Sequence, residues 1–476
     1  MKEIEVLSLE GGCLSLQSLE FSTNLQSLLL IRCKCNDLIS LRKLQRLKIL
    51  CFTCLSSLEE LPDEIGELKE LRLLDVTGCR DTRTLFPAKW RQALNNQTSV
   101  KIEDCKSLEE VFELLPEGSS EVKELRLLSS LTRLELKLLP ELKCIWKGPT
   151  RHVSLRSLIH LELRGLNKLT FIFTPHLAQS LVHLETLRIY DCSGLKHLIR
   201  EKDDESEIIP DSLGFPKLKT LSIRGCDQLE YVFPVSVSPS LLNLQEMKIV
   251  FGASLKQIFY RGEGDAITRD GIINFPQLRK LTLLSCSFFG PKNFTAQLPS
   301  LQVLYIQEHE ELGDLLAQLQ VGSFVTNTRT RHEFSLLSLE KLDLSFLSDM
   351  RCILKGLVLS HLTTLKVSYC EKLTHVFTSS MVASLVQLQF LDISACEELE
   401  QIIAKDNDDE KDQILYGRYL ESLCFPNLCK VEIKGCNKLR SLFPRAMASV
   451  AEDSSAGCSE PIKVDKRKKM EVKMVW

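Results

Sequence analysis

Apolar residues recur along this chain in one motif, L-x-x-L-x-[LIV]-x-x-C-x-x-L-x-x-[LIV]. Clear copies are LETLRIYDCSGLKHLI at 184–199, LKTLSIRGCDQLEYV at 218–232, LTTLKVSYCEKLTHV at 362–376, LQFLDISACEELEQII at 388–403 and LCKVEIKGCNKLRSL at 428–442. With substitutions allowed there are about sixteen copies. The central x-L-x-[LIV]-x alternates, as expected of a short strand with one buried face. The leucine three residues after the cysteine lies past a turn. A small residue is expected at the corner, with its side chain close to turn backbone. Cysteine fills that corner at Cys33, Cys79, Cys105, Cys192, Cys226, Cys286, Cys370, Cys396 and Cys436.

A single unit of this kind cannot bury its apolar face alone, so units must stack. The predicted fold is therefore α/β: a leucine-rich-repeat solenoid, or horseshoe, of about sixteen repeats. Its parallel sheet lines the concave side, and the convex side is irregular or short-helical. Strand anchors are assigned to Leu28, Leu47, Leu74, Leu134, Leu161, Leu187, Leu221, Met247, Leu281, Leu304, Leu342, Leu365, Leu391 and Val431. Their spacing stretches to 34 residues from Leu187 to Leu221 and to 40 from Leu391 to Val431, where acidic insertions enter as loops. Residues 155–204 align with 359–408 at a constant offset of 204, an internal duplication of about three repeats. The solenoid is expected over 1–447, with 448–476 a non-repeat, disordered tail. Past 447 the apolar anchors stop, which predicts an exposed apolar end near Leu439, Leu442 and Phe443.

Composition adds constraints. The 476 residues carry a formal charge of −3, which gives no long-range attraction to nucleic acid or anionic membrane. There is no run of 18 uncharged apolar residues, so no transmembrane helix is expected. The N-terminal MKEIEVLSLEGG lacks the apolar core of a signal peptide. The 18 cysteines thus read as reduced and mostly buried. Cys51 and Cys54 form a lone C-x-x-C with no second pair to complete a zinc site.

The sequence contains no G-x-x-x-x-G-K-[ST], G-x-G-x-x-G, H-E-x-x-H or G-x-S-x-G. Its nine histidines are scattered, and no acid–base or nucleophilic constellation emerges. The chain is therefore read as non-catalytic, with no cofactor and no metal.

The usable chemistry lies on outward positions of the strands. The residue between each apolar pair, and the one two further on, give a basic stretch of Lys137, Arg164, Arg188, Arg224 and Lys248, with Tyr190 inside it. Exposed aromatics follow, among them Phe346, Phe390, Tyr305 and Tyr369. Arginine and aromatic side chains on such a face are candidate anchors for a protein partner. Lys137, Arg164, Arg188, Tyr190, Arg224, Lys248, Tyr305 and Tyr369 are the candidate set. KRKK at 466–469 is a candidate nuclear-import patch or a solvated part of the tail.

The segment LPDEIGELKELRLLDVTGC, 61–79, resembles the early repeats of plant coiled-coil NB-LRR disease-resistance proteins. The later FPxLxxLxIxGCxxLxxLFP repeats and acidic loops resemble the C-terminal half of the same family, so the resemblance covers 1–447. It implies the sensor part of a cytoplasmic immune receptor, which recognises a pathogen effector or a modified host protein. The family's nucleotide-binding loop and coiled coil have no counterpart here, so no nucleotide-driven switch is carried over; a receptor fragment without function is one reading of that departure. Two other repeat classes compare less well. A receptor-kinase ectodomain calls for a signal peptide, and the substrate-recognising part of a ubiquitin ligase calls for an F-box.

Overall fold

The computed structural model describes residues 3–35, 38–55, 58, 60–61, 63–87, 90–114, 126–200, 214–250, 255–261, 272–285, 289–291, 294–309, 315, 319–320, 334–335, 338–353, 357–382, 384–404, 425–440 and 471–475. The chain divides into two units, 1–244 with 251–265, and 245–250 with 266–476. In the first, nine five-residue parallel strands form the main sheet. They are β1 (Val6–Glu10), β2 (Ser27–Ile31), β3 (Ile49–Thr53), β4 (Leu73–Thr77), β5 (Ser99–Glu103), β6 (Arg133–Lys137), β7 (His160–Arg164), β8 (Thr186–Tyr190) and β9 (Thr220–Arg224). The second unit has seven: β10 (Glu246–Val250), β11 (Lys280–Leu284), β12 (Val303–Gln307), β13 (Lys341–Ser345), β14 (Thr364–Ser368), β15 (Phe390–Ser394) and β16 (Lys430–Lys434). Sixteen such strands among the described residues, one per repeat, make this a leucine-rich-repeat solenoid.

Alternation explains each strand. In every strand but β1 the second and fourth residues, such as Leu187 and Ile189 in β8, are buried, while the others are open to solvent except Glu135, Ser222, Thr282 and Ser368. Register is kept in every pairing among the described residues. Leu7 pairs with Leu28, Leu187 with Leu221 and Leu391 with Val431, although the chain between partners ranges from about twenty to forty residues. A slipped strand would turn its buried pair outward, so the apolar pair fixes register whatever the loop does.

Among the described residues the corners after the strands share one construction. A residue with positive φ ends the strand, and its N–H donates to the last strand residue of the next repeat: Arg32 to Thr53 at 2.7 Å, Leu138 to Arg164 at 2.7 Å, Tyr369 to Ser394 at 2.9 Å. The corner residue follows. Eight of the nine corner cysteines lie within the described residues, Cys286 being the exception. All eight are buried, and each thiol donates to the carbonyl two residues back. Cys33 reaches Ile31 at 3.2 Å, Cys192 reaches Tyr190 at 3.4 Å and Cys370 reaches Ser368 at 3.4 Å.

Past the corner the chain forms a second row of short parallel strands. Examples are Thr84–Phe86, Glu110–Glu113 and Cys144–Lys147, and, further on, His375–Thr378 beside Gln401–Ala404. This side is more regular than the sequence reading expects. Its signal is only a pair of adjacent apolar residues, such as Val111–Phe112 or Ile145–Trp146. The aromatic members stack, Phe86 on Phe112 at 4.8 Å and Phe112 on Trp146 at 5.0 Å. The Trp146 indole N–H donates to the Ile172 carbonyl at 2.9 Å.

The 155–204 block and its 359–408 counterpart build the same parts. In each, a serine hydroxyl accepts from the backbone N–H 25 residues earlier and donates to a carbonyl three back. Ser180 does this with Leu155 and Leu177, Ser384 with Leu359 and Met381.

Two assignments change. The third-strand anchor is Leu50, which pairs with Leu28 and Leu74. Leu47 is buried one step earlier, in the turn. The run Leu44–Leu47–Leu50 fits the motif in two phases, and the pairing with β2 and β4 decides between them, with Cys54 as the positive-φ residue that ends the strand. The C-terminal end also differs from expectation. Leu439 is buried, while Leu442 and Phe443 lie outside the described residues. A further strand, β17 (Glu471–Val475), falls within the stretch read as disordered and pairs antiparallel with β16, Val431 opposite Met474.

Candidate functional site

In the first unit the pairing register places outward residues of successive strands in rows. One row runs Glu135, Glu162, Arg188, Ser222; the next runs Lys137, Arg164, Tyr190, Arg224. Neighbouring strands stand roughly 4.8 Å apart, so these side chains are within mutual reach. Five of the eight candidates, Lys137, Arg164, Arg188, Tyr190 and Arg224, are thereby brought together.

They are not equivalent. Lys137 is half-buried and its ammonium contacts Glu135 and Glu162, each at 2.8 Å. Glu135 also takes the Arg133 guanidinium. Burial opposes the Lys137 charge, but hydrogen bonds to Glu135 and Glu162 outweigh it and hold the ammonium above the usual lysine value. Lys137 thus belongs to an internal network. Arg164 is exposed and keeps a loose pairing with Asp191 at 3.8 Å. Arg188 and Arg224 are exposed, and neither guanidinium has an ion pair among the described residues. Tyr190 lies between Arg164 and Arg224 in its row and donates its hydroxyl to Ser222 at 3.2 Å. The chemistry left available is two uncommitted guanidiniums beside an oriented phenol.

The other three candidates belong to the second unit. Lys248 is exposed on β10, and Tyr305 is half-buried on β12 between Thr282 and Asp343 in register. Tyr369, just beyond β14, is 51% exposed and stacks on Phe346. Several other outward positions, Ser222, Thr282 and Ser368, are nearly buried. On a closely spaced sheet, long neighbours cover short side chains, which a column of sequence positions does not reveal.

Among the described residues no three His, Cys, Asp or Glu side chains group to hold a metal. No helix there is long and apolar enough to cross a membrane. Burial pushes the Cys51 thiol up to about 11, with Asp75 adding to the effect and Lys101 opposing it. A raised Cys51 thiol is the opposite of the depressed thiol with which a redox pair works. Burial likewise raises Cys79 to about 11 and Cys105 to about 12.

Structures similar to this chain include a leucine-rich-repeat protein of Leptospira interrogans, 20% identical, covering 91% of this chain and 93% of that one with a TM-score of 0.40. A Listeria monocytogenes internalin is 13% identical over 93% of this chain and 87% of its own, TM-score 0.34. The leucine-rich-repeat ectodomain of the Arabidopsis receptor kinase HAESA, solved with an extended IDA peptide hormone, is 17% identical over 91% and 80%, TM-score 0.35. No curated protein sequence matches significantly. The profile described as plant disease resistance protein RPS2-like, leucine-rich repeats, matches residues 57–193, 195–287 and 266–397. That span takes in β4 to β15, the corner cysteines from Cys79 to Cys396 and the uncommitted arginines, and the chain belongs to the RPS2-like leucine-rich-repeat family of plant disease-resistance proteins.

Proposed function

We propose that the solvent face of the main sheet is a protein-recognition surface of the sensor kind, acting by binding and without catalysis. Its partner is a pathogen effector or a host protein altered by one, met in the cytoplasm. The observation that supports this most is the cluster of Arg188, Tyr190 and Arg224. Most basic groups around it are matched by a carboxylate, as Lys137 and Lys219 are. Arg188 and Arg224 keep their charge for something else. Membership of the RPS2-like family supports the defence context. The other candidates, Lys137, Arg164, Lys248, Tyr305 and Tyr369, form the surrounding surface in each unit.

The test is capture from host tissue, with and without infection, by the wild-type chain and by an Arg188→Ala, Tyr190→Ala, Arg224→Ala triple variant. The expected result is a captured protein that the triple variant loses, with circular dichroism and melting unchanged. A variant that captures the same protein, or one that loses its fold, removes these residues from the recognition role.

A further inference from the structure

Among the described residues, the one that ends each strand, just before the corner, has a left-handed backbone, and Gly78, Gly165, Gly225 and Gly435 meet that need at no steric cost. In the second unit the same position holds Phe346 with φ 55° and Tyr369 with φ 54°. Other residues with long side chains, Arg32 and Leu138 among them, take that conformation too, so what sets this place apart is two aromatic rings in succession, and those rings need a role. The role is not core packing, because the two are 43% and 51% exposed. They stack face to face, centroids 4.4 Å apart and planes 6° from parallel.

Strand spacing makes the stack run along the row, one ring per repeat. The outer face of Tyr369 therefore looks toward the next repeat, which holds Ala395 at the same position, followed by Gly435. A methyl group and a glycine leave that ring face open. Asp392 lies on β15, the strand leading to Ala395, in register with Lys366. Asp392 and Lys366 have no ion pair among the described residues. Asp343 is on the far side of Lys366 in the same row, and Glu308 precedes Phe346 in the corner row. The rings thus stand beside Asp343, Asp392 and Lys366, with the Glu308 carboxylate engaged by Ser285 and with Glu432 and Lys434 paired to each other on the next strand. Between the ring row and the charged row runs a row of short side chains, Ser345, Ser368 and Ser394, with the Ser394 hydroxyl donating to Ser368 at 2.9 Å.

We infer that this is a subsite for an arginine side chain of a protein partner. The guanidinium lies flat on the open face of Tyr369, above Ala395, and donates to the Asp392 carboxylate. A planar, weakly hydrated cation suits both contacts: it stacks on an aromatic face and meets a carboxylate with two N–H groups. An acidic group is opposed there by Asp343 and Asp392. The inference rests on reading the sheet's solvent face as a recognition surface, and it names the chemistry of the partner at one place on it.

The experiment titrates the full chain with a fluorescently labelled glycine–serine peptide carrying several arginines, and with its lysine and citrulline counterparts, followed by anisotropy. The arginine peptide binds, the lysine peptide binds more weakly, and the citrulline peptide, with the shape but not the charge, does not bind. Tyr369→Ala and Asp392→Asn each weaken the arginine peptide about fivefold to tenfold. Tyr369→Phe keeps the affinity within about twofold. Ala395→Phe adds a ring on the open face without leaving a cavity, and blocks binding while the melting curve stays in place. No binding of the arginine peptide, equal binding of the citrulline peptide, or wild-type affinity in both Tyr369→Ala and Ala395→Phe overturns the inference. The titration uses no tissue partner, so its failure and that of the capture experiment are read separately.

Discussion

Glu135 shows how one carboxylate can organise a patch that looks simply basic in the sequence. Its side chain is nearly buried, facing Arg133 and Lys137. Burial by itself raises the carboxyl, but hydrogen bonds and charge from Lys137 and Arg133 outweigh it and leave Glu135 below the ordinary glutamate value. A lowered folded value means that ionised Glu135 stabilises the fold above the ordinary glutamate range. That contribution is lost as pH falls through the lowered value. Glu135→Gln is expected to cost about 2 kcal/mol near neutral pH, because it weakens two charge-assisted hydrogen bonds at a nearly buried site. The difference from wild type, measured by urea unfolding, should shrink as the medium becomes acid. A difference independent of pH would assign the loss to packing. The same network explains why Lys137 is a weaker docking candidate than Arg188. Sequence columns showed both as outward cations, but only the register revealed which one had two carboxylates within reach.

Strand and corner together are the working element, and most of this element was legible. The x-L-x-[LIV]-x alternation marks strands by its period of two, and the corner cysteine marks where each ends. Legibility failed where the signal was short or repeated. Leu44–Leu47–Leu50 admits two phases. The outer strands show only two adjacent apolar residues each. The positive φ of the residue before the corner has no sequence signature, being filled by Arg32, Asp104, Leu138 and Tyr369 as well as by glycine. That position makes a testable pair. Gly225 has φ +63°, and a Cβ there would stand 2.7 Å from the Asp191 carboxylate oxygen. Gly225→Ala is therefore expected to cost about 1–2 kcal/mol. Leu138, with φ 55° and 47% exposed, should accept the reverse change. Leu138→Gly relieves a similar backbone cost, less about 0.5–1 kcal/mol of unfolded-state freedom, and should raise the melting temperature slightly. Opposite signs in thermal unfolding support the corner geometry; equal losses would refute it.

At the scale of the molecule, a parallel sheet of repeats has an unpaired edge at its last strand, a site that invites pairing with another chain. In the second unit β17 lies along the edge of β16, antiparallel, with Lys430 opposite Val475 and Lys434 opposite Glu471. The sequence gives little notice of this, since residues 448–476 have no repeat periodicity. Ending the chain after residue 470 should speed amide exchange in Lys430–Lys434 and promote self-association, with β6 to β9 of the first unit unaffected. Unchanged exchange in β16 would show that the pairing contributes nothing to stability. One further consequence follows from the constant register of the strands. Each corner binds its own strand and the next one, and neither bond depends on the length of the intervening loop. A gene segment covering whole repeats can therefore be duplicated or lost through unequal crossing-over and still encode a chain that stacks. The likeness of 155–204 to 359–408 is the kind of trace such an exchange would leave, and the outward side chains of a new copy would then be free to diverge toward different targets.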